Sequence, residues 1–199
     1  MPNHDDHITD RTVRLYHTGF QVIREPDIKA GRKNADFGQG FYLSDNMEFS
    51  KRWARIRNGL STYLNCYTFR PEGLKIKHFS RGLEWFEYIY SNRSGQEDGL
   101  AEYDVITGPI ANDTIYDTWG ITTSGLITKQ QALGLLSEGP VYIQTVIKTE
   151  KALSALSFAE AVLLSGDEIG KYRETVRLEE ARFQEQFSER LLKIMRSEI

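Results

Sequence analysis

Two short segments hold the residues best suited to chemistry. Leu15-Tyr16-His17-Thr18-Gly19 ends an apolar stretch with an imidazole and then a glycine. Asp36-Phe37-Gly38-Gln39-Gly40-Phe41-Tyr42-Leu43-Ser44, about 20 residues later, puts a phenol behind two closely spaced glycines. A histidine offers a donor and an acceptor near neutral pH, and a tyrosine offers a flat ring with a hydroxyl. The pair could stand on opposite sides of a slot, with Gly38 and Gly40 letting a ligand approach the backbone closely. The competing reading is structural: His17 is a satisfied core histidine, Tyr42 is packing and the glycines serve a bend. Other candidates are Gln144, in Val141-Tyr142-Ile143-Gln144-Thr145, and Asp113, in the loop after Ile110, which is equally a turn or cap residue. Asp104 lies inside a strand, where a carboxylate needs a partner. Trp119 sits on a glycine-flanked loop. The motifs of P-loop enzymes, dinucleotide-binding Rossmann folds, serine hydrolases and zinc peptidases are missing from the sequence.

The elements that must position these residues follow from periodicity. Residues 13–17 read as a strand and 25–34 as a loop, and a brief apolar run covers 41–43. Ser44 or Asp45 is placed to cap a helix running to about residue 58, with Phe49, Trp53 and Ile56 on its buried face. Strands over 61–69 and 73–79 meet at a hairpin or a corner, and a helical stripe through Leu83, Trp85, Phe86, Ile89 and Tyr90 follows. Further strands are expected at 103–110, 141–147 and 158–163, with a short helix at 129–137 and a helical turn after Thr149. From about Asp167 a long charged helix carries a stripe through Val176, Phe183, Phe187, Leu191 and Met195, to be laid on its own domain or on a partner. Short strands mixed irregularly with helices point to the α+β class.

Length and composition bound the rest. With 199 residues, 40% hydrophobic and 27% charged, the chain has enough apolar surface for a core, which excludes disorder throughout. The net charge of −3 does not supply the field of a dedicated nucleic-acid binder, although it leaves room for a local basic patch. Cys66 is the single cysteine, so neither an internal disulfide nor a multi-cysteine zinc site is available, and burial as a small hydrophobe is expected. No run reaches the roughly 18 apolar residues of a membrane span, and the polar start does not resemble a signal peptide. A cytoplasmic protein with no membrane partner is therefore expected. His4 and His7 fall on a loose arm and are read as incidental.

The two segments resemble the signature of the ADP-ribosyltransferase superfamily, in the His-Tyr branch that includes diphtheria-like toxins and poly-ADP-ribose polymerases. The similarity is greatest to bacterial members with Leu-Tyr-His, then Asp-Phe-Gly-x-Gly-Phe-Tyr-Leu, then Tyr-Asp-Val-x-x-Gly-Pro-x-Ala-Asn-Asp, the last present as YDVITGPIAND at 103–113. A strand containing Gln144, followed by Thr-Glu-Lys-Ala-Leu at 149–153, extends the likeness over roughly residues 13–165. The resemblance implies split antiparallel sheets with flanking helices, an arm at 1–11, an NAD-binding domain at 12–165 and a C-terminal helix at 166–199. It implies NAD as co-substrate, with His17 on the adenine-side ribose and the backbone at Thr18 and Gly19 on the nicotinamide amide. Tyr42 would stack on the nicotinamide through its ring, with no need of the hydroxyl, and Asp36, Phe37, Gly38, Gly40 and Phe41 would complete the cofactor-binding set. Arg32 and Lys33 would meet the pyrophosphate, or stand as solvated surface, and Asn34 and Asp36 would touch ligand or cap the loop. Gln144 stands where the branch carries a catalytic glutamate, and Thr18 where a glycine is usual. The first departure argues against chain elongation and leaves Gln144, Asp113 and Tyr42 as the catalytic candidates. The implied activity is mono-ADP-ribosylation of a protein or nucleic acid, in a bacterial toxin or phage-defence effector that a small neutralising protein would inhibit. A catalytically silent NAD-binding module and an NAD glycohydrolase are the alternatives.

Overall fold

The computed structural model describes residues 12–111, 125–136 and 141–197. Two sheets form an α+β architecture. The first is a three-stranded antiparallel sheet in the order β1 (Val13–Gly19), β3 (Thr62–Phe69), β7 (Leu156–Leu164). The second has the order β2 (Phe41–Leu43), β6 (Ile143–Ile147), β5 (Val105–Pro109), β4 (Ile76–His78). One pair departs from the expected antiparallel pattern: β4 runs parallel to β5, with Ile76 opposite Val105. The reason is the connection, because α2 (Leu83–Arg93) lies between these strands in sequence and crosses over to return the chain in the same direction. Since β3 and β4 belong to different sheets, residues 70–75 turn a corner and do not form a hairpin.

Alternation decides which core each strand feeds. Along β1, Leu15 enters the core between the sheets with Phe41, Tyr67 and Ile147, while Tyr16 enters a second cluster with Ala54, Leu64 and Cys66. All five residues of β5 are buried, as expected of a strand covered on both faces. Its outer side is closed by Trp85, Phe86 and Ile89 of α2. The two sheets are stitched where β1 passes the end of β2, by Tyr16 N–H to Ser44 O (2.8 Å) and Ser44 N–H to Tyr16 O (3.0 Å).

α1 (Met47–Lys51) is shorter than its sequence suggests. Its cap is Asn46, whose Oδ1 accepts from Phe49 N–H at 2.9 Å, not Ser44 or Asp45. The helix stops because the backbone tightens to i→i+3 bonds at Arg52, Trp53 and Ala54, and then reverses through Gly59 to enter β3. Ala54 is fully buried, whereas Trp53 and Ile56, expected on the buried face, are 54% and 57% exposed. After the remaining short helices, α3 (Lys129–Leu136) and α4 (Glu150–Ser154), the chain ends in α5 (Gly166–Ser197). A reciprocal cap starts α5: Ser165 Oγ accepts from Glu168 N–H and the Glu168 carboxylate accepts from Ser165 N–H. Phe183 and Phe187 pack on Ile127, Ala132 and Leu135 of the same chain, while Met195, further along the stripe, is exposed. Arg52 bonds Glu179, and Tyr172 bonds Glu48, so α5 also holds α1. Among the described residues, no helix is long and apolar enough to cross a membrane.

Candidate functional site

A cavity of about 580 Å³ opens where the sheets are stitched. β1 contributes Tyr16, His17 and Thr18; the loop before β2 contributes Arg32, Asn34 and Asp36; β2 and its end contribute Tyr42 and Ser44. Phe49, Ser50 and Trp53 form one wall, and Arg93 from α2 and Gln144 from β6 complete it.

His17 Nδ1 lies 2.8 Å from Tyr42 O, and its ring packs against Phe41 at 4.7 Å between centroids. A carbonyl only accepts, so Nδ1 carries the proton and Nε2 of the neutral ring is an acceptor. Burial, only partly offset by the bond to Tyr42 O, pulls the imidazole below its ordinary value and favours that neutral form. A Cβ on Gly19 would stand 3.4 Å from Nε2, an ordinary contact, so the space beside the ring does not itself require glycine there. The Thr18 hydroxyl donates to Ser50 O at 2.7 Å, which gives the side chain at this position a structural role in tying β1 to α1.

Tyr42 uses its hydroxyl as well as its ring. It donates to Gly38 O (2.7 Å) and accepts from Phe37 N–H (2.9 Å), and burial drives the phenol far above its ordinary value. The same turn is held from beneath by Lys148, which donates to Phe37 O (2.5 Å) and pairs with Asp98 (2.6 Å). Gly38 has φ +73°, a conformation that L side chains rarely adopt. Gly40 serves close strand packing: a Cβ there would stand 2.6 Å from Ile147 O.

Asp36 is the hub of the cavity wall. Its Oδ1 accepts from Arg93 Nε (2.7 Å), and Arg93 also pairs with it at 2.6 Å. Its Oδ2 accepts from Ala111 N–H (3.1 Å) and from Gln144 Nε2 (3.0 Å). A carboxylate fixes which end of the amide faces it, so Gln144 turns its nitrogen to Asp36 and its Oε1 away, as an acceptor.

The structure therefore brings His17, Thr18, Arg32, Asn34, Asp36, Tyr42 and Gln144 together around one cavity. It places the remaining described candidates elsewhere. Phe37 is fully buried and stacks on Phe79 and Tyr88, Phe41 lies in the core between the sheets, and Gly19, Gly38 and Gly40 do not line the cavity. The expected approach of a ligand to Gly38 and Gly40 is thus replaced by backbone and Lys148 contacts. Lys33 lines a separate cleft beside Asp98 and Lys148. Asp104 is a structural staple, accepting from Lys75 N–H and from Thr149 and Lys151. Asp113, Trp119, His4 and His7 lie outside the described residues. Two participants escaped the sequence reading. Arg93 looks like part of a polar loop but ends α2. Asn65, fully buried in β3, accepts from Ile23 N–H and donates to Gln21 O, fixing the turn after Gly19. An asparagine amid apolar strand residues was the available signal.

No curated protein and no solved structure matches the chain. The model of one protein family, DUF3990, described as a protein of unknown function, matches residues 13–158, the span that holds every described cavity residue, and the chain belongs to that family.

Proposed function

We propose that the chain is an NAD-dependent mono-ADP-ribosyltransferase with the split-sheet fold of that superfamily, and that NAD occupies the cavity between β1, β2 and β6. The observation that carries this reading is the convergence of His17, Tyr42 and Gln144, from three distant segments, on one cavity, where the bonds made by His17 Nδ1 and Gln144 Nε2 leave His17 Nε2 and Gln144 Oε1 as acceptors. Two acceptors on residues that line a cavity suit the hydroxyls of two riboses, the Tyr42 ring suits the nicotinamide as a flat wall, and exposed Arg32 suits the pyrophosphate. When bound, NAD supplies the ADP-ribosyl group: the bond from ribose C1 to nicotinamide breaks, its electron pair leaves with nicotinamide, and the acceptor's nucleophile bonds to C1.

The residues of this chain orient and stabilise. His17 and Tyr42 fix the two ends of the dinucleotide, which removes orientational freedom before the reaction. Gln144 Oε1 accepts from a hydroxyl of the reacting ribose, and the Asp36 carboxylate behind it gives the otherwise neutral amide a negative neighbour as positive charge develops on the sugar. Arg93 and Ala111 N–H keep Asp36 in place.

Incubation with labelled NAD and cell lysate tests the reading. Labelled macromolecule and free nicotinamide are expected, both falling roughly 10²-fold or more in Gln144→Ala and His17→Ala. Nicotinamide release with only free ADP-ribose would convert the reading to a glycohydrolase, and NAD binding without release would convert it to a silent module.

A further inference from the structure

Between Glu48 and Glu72 the chain has five cations, Lys51, Arg52, Arg55, Arg57 and Arg70, and no acid, within a protein of net charge −3. Lys51 pairs with Glu48, and Arg52 with Glu179. Arg55 and Arg57 are exposed and, among the described residues, have no carboxylate partner; Arg55 bonds only the carbonyls of Arg52 and Ala54 through one terminal nitrogen. Beside them Trp53 and Ile56 are the exposed large side chains noted above, and Trp53 also lines the cavity. Its ring meets Phe49 at right angles, 6.2 Å between centroids, and at 54% exposure much of the residue faces solvent. Arg32 adds a further exposed cation to the same cavity.

An exposed indole followed by two exposed guanidiniums that no described carboxylate pairs is the chemistry that holds single strands: every base has a face to stack, and every linkage has a phosphate for arginine. An acidic peptide would satisfy the arginines but leave the indole without its flat partner. We infer that segment 51–57 binds single-stranded nucleic acid, with a base stacked on Trp53 at the cavity mouth and the flanking phosphates on Arg55 and Arg57. The charge is local, so the contact is short and strongly salt-dependent. That the held base is also the acceptor rests on the transferase reading. In that case a base nitrogen or oxygen forms the new bond to ribose C1, the bond from C1 to nicotinamide breaks, and the proton of the base passes to water.

Binding is measured without NAD, by fluorescence anisotropy of labelled oligothymidylate, oligouridylate and a duplex of the same length across a salt series. Either strand is expected to bind more tightly than the duplex, and the tighter of the two arms identifies DNA or RNA as the source. Trp53→Ala is expected to weaken binding about tenfold, with Trp53→Phe recovering most of it. Replacing both Arg55 and Arg57 by serine is expected to reduce the slope of log affinity against log salt by about 1.4. Failure of both strands to bind at low salt, equal affinity for duplex, or indifference to Trp53→Ala overturns the inference. Label from NAD on protein alone, with none on a bound oligonucleotide, overturns the acceptor role. Strand binding with these mutational effects but no nicotinamide release upholds the site and refutes the transferase reading instead.

Discussion

The contact between Gln144 and Asp36 makes Gln144→Glu a sharp test of how the cavity wall is built. The substitution sets a second carboxylate about 3.0 Å from Asp36 Oδ2, at a position where Gln144 is only 8% exposed. Two unit charges at that distance repel by ~5.5 kcal/mol at an effective dielectric constant of 20. Keeping a proton on the new carboxyl at pH 7 costs ~3.7 kcal/mol, from an ordinary glutamate value of about 4.3 and 1.36 kcal/mol per pH unit. Protonation is the cheaper course, so the pair retains one proton in the native state and none in the unfolded chain. Arg93 on the opposite oxygen offsets part of the field, which leaves a destabilisation of about 2–3.5 kcal/mol, or roughly 5–12 °C in Tm. The sign follows from linkage: the folded value is raised, so the native state holds more protons than the unfolded one and relative stability falls as pH rises above about 4.3. Thermal melts of wild type and variant at pH 4.5, 5.5 and 7 should show a gap that widens with pH, and Asp36→Asn in the same chain should close it. The reasoning is refuted by a gap that is constant with pH, or by a variant as stable as wild type at pH 7. On the proposed transferase reading, the same proton means that Gln144→Glu at pH 7 would set a neutral acid against the ribose, so faster NAD cleavage is expected only at higher pH.

Tyr42→Phe is expected to cost about 1–3 kcal/mol in denaturant unfolding, because Phe37 N–H and Gly38 O both lose their partner; an unchanged midpoint would show that water replaces the hydroxyl. His17 is held below its ordinary value of 6.5, so the unfolded chain binds its proton first and stability should fall as pH drops below 6.5. His17→Asn should flatten that part of the stability profile between pH 7 and 5. Lys148→Met leaves Asp98 and Phe37 O without the buried ammonium and should lose about 3–5 kcal/mol, with Asp98→Asn in the same chain recovering part of it. Phe183→Ala should cost about 3 kcal/mol or somewhat less and raise amide exchange along α5 before the strands are affected.

Local pattern carried most of the elements and little of their company. The apolar runs that became β1, β3, β6 and β7 were readable because alternation and flanking turn residues leave few choices for a strand. The parallel pairing of β4 with β5 was not, since it depends on how α2 returns the chain, which no short window contains. Trp53 and Ile56 have helical spacing, but the need to reverse into β3 overrides it. Phe37 and Phe41 sit within a segment that reads as a ligand loop, yet strand alternation and the turn at Gly38 send both rings into cores. His17 and Tyr42 could be paired from sequence as candidates; the carbonyl that fixes the His17 tautomer could not. Asp36 and Gln144 are 108 residues apart, and only the pairing of β2 with β6, Tyr42 opposite Val146, brings them within a hydrogen bond.

That pairing also sets when the cavity can exist. Among the described residues β2 has β6 as its sole partner in the sheet order, so a growing chain that has just made His17, Asp36 and Tyr42 can tie β2 to β1 at Tyr16–Ser44 but lacks the strand that β2 pairs with along its length. At about 5–20 residues per second, the ribosome needs roughly 5–20 s more to reach Gln144. During that interval the nascent polypeptide holds the imidazole and the phenol without the strand that closes the wall between them, and whatever the completed cavity does, a half-made chain cannot do it.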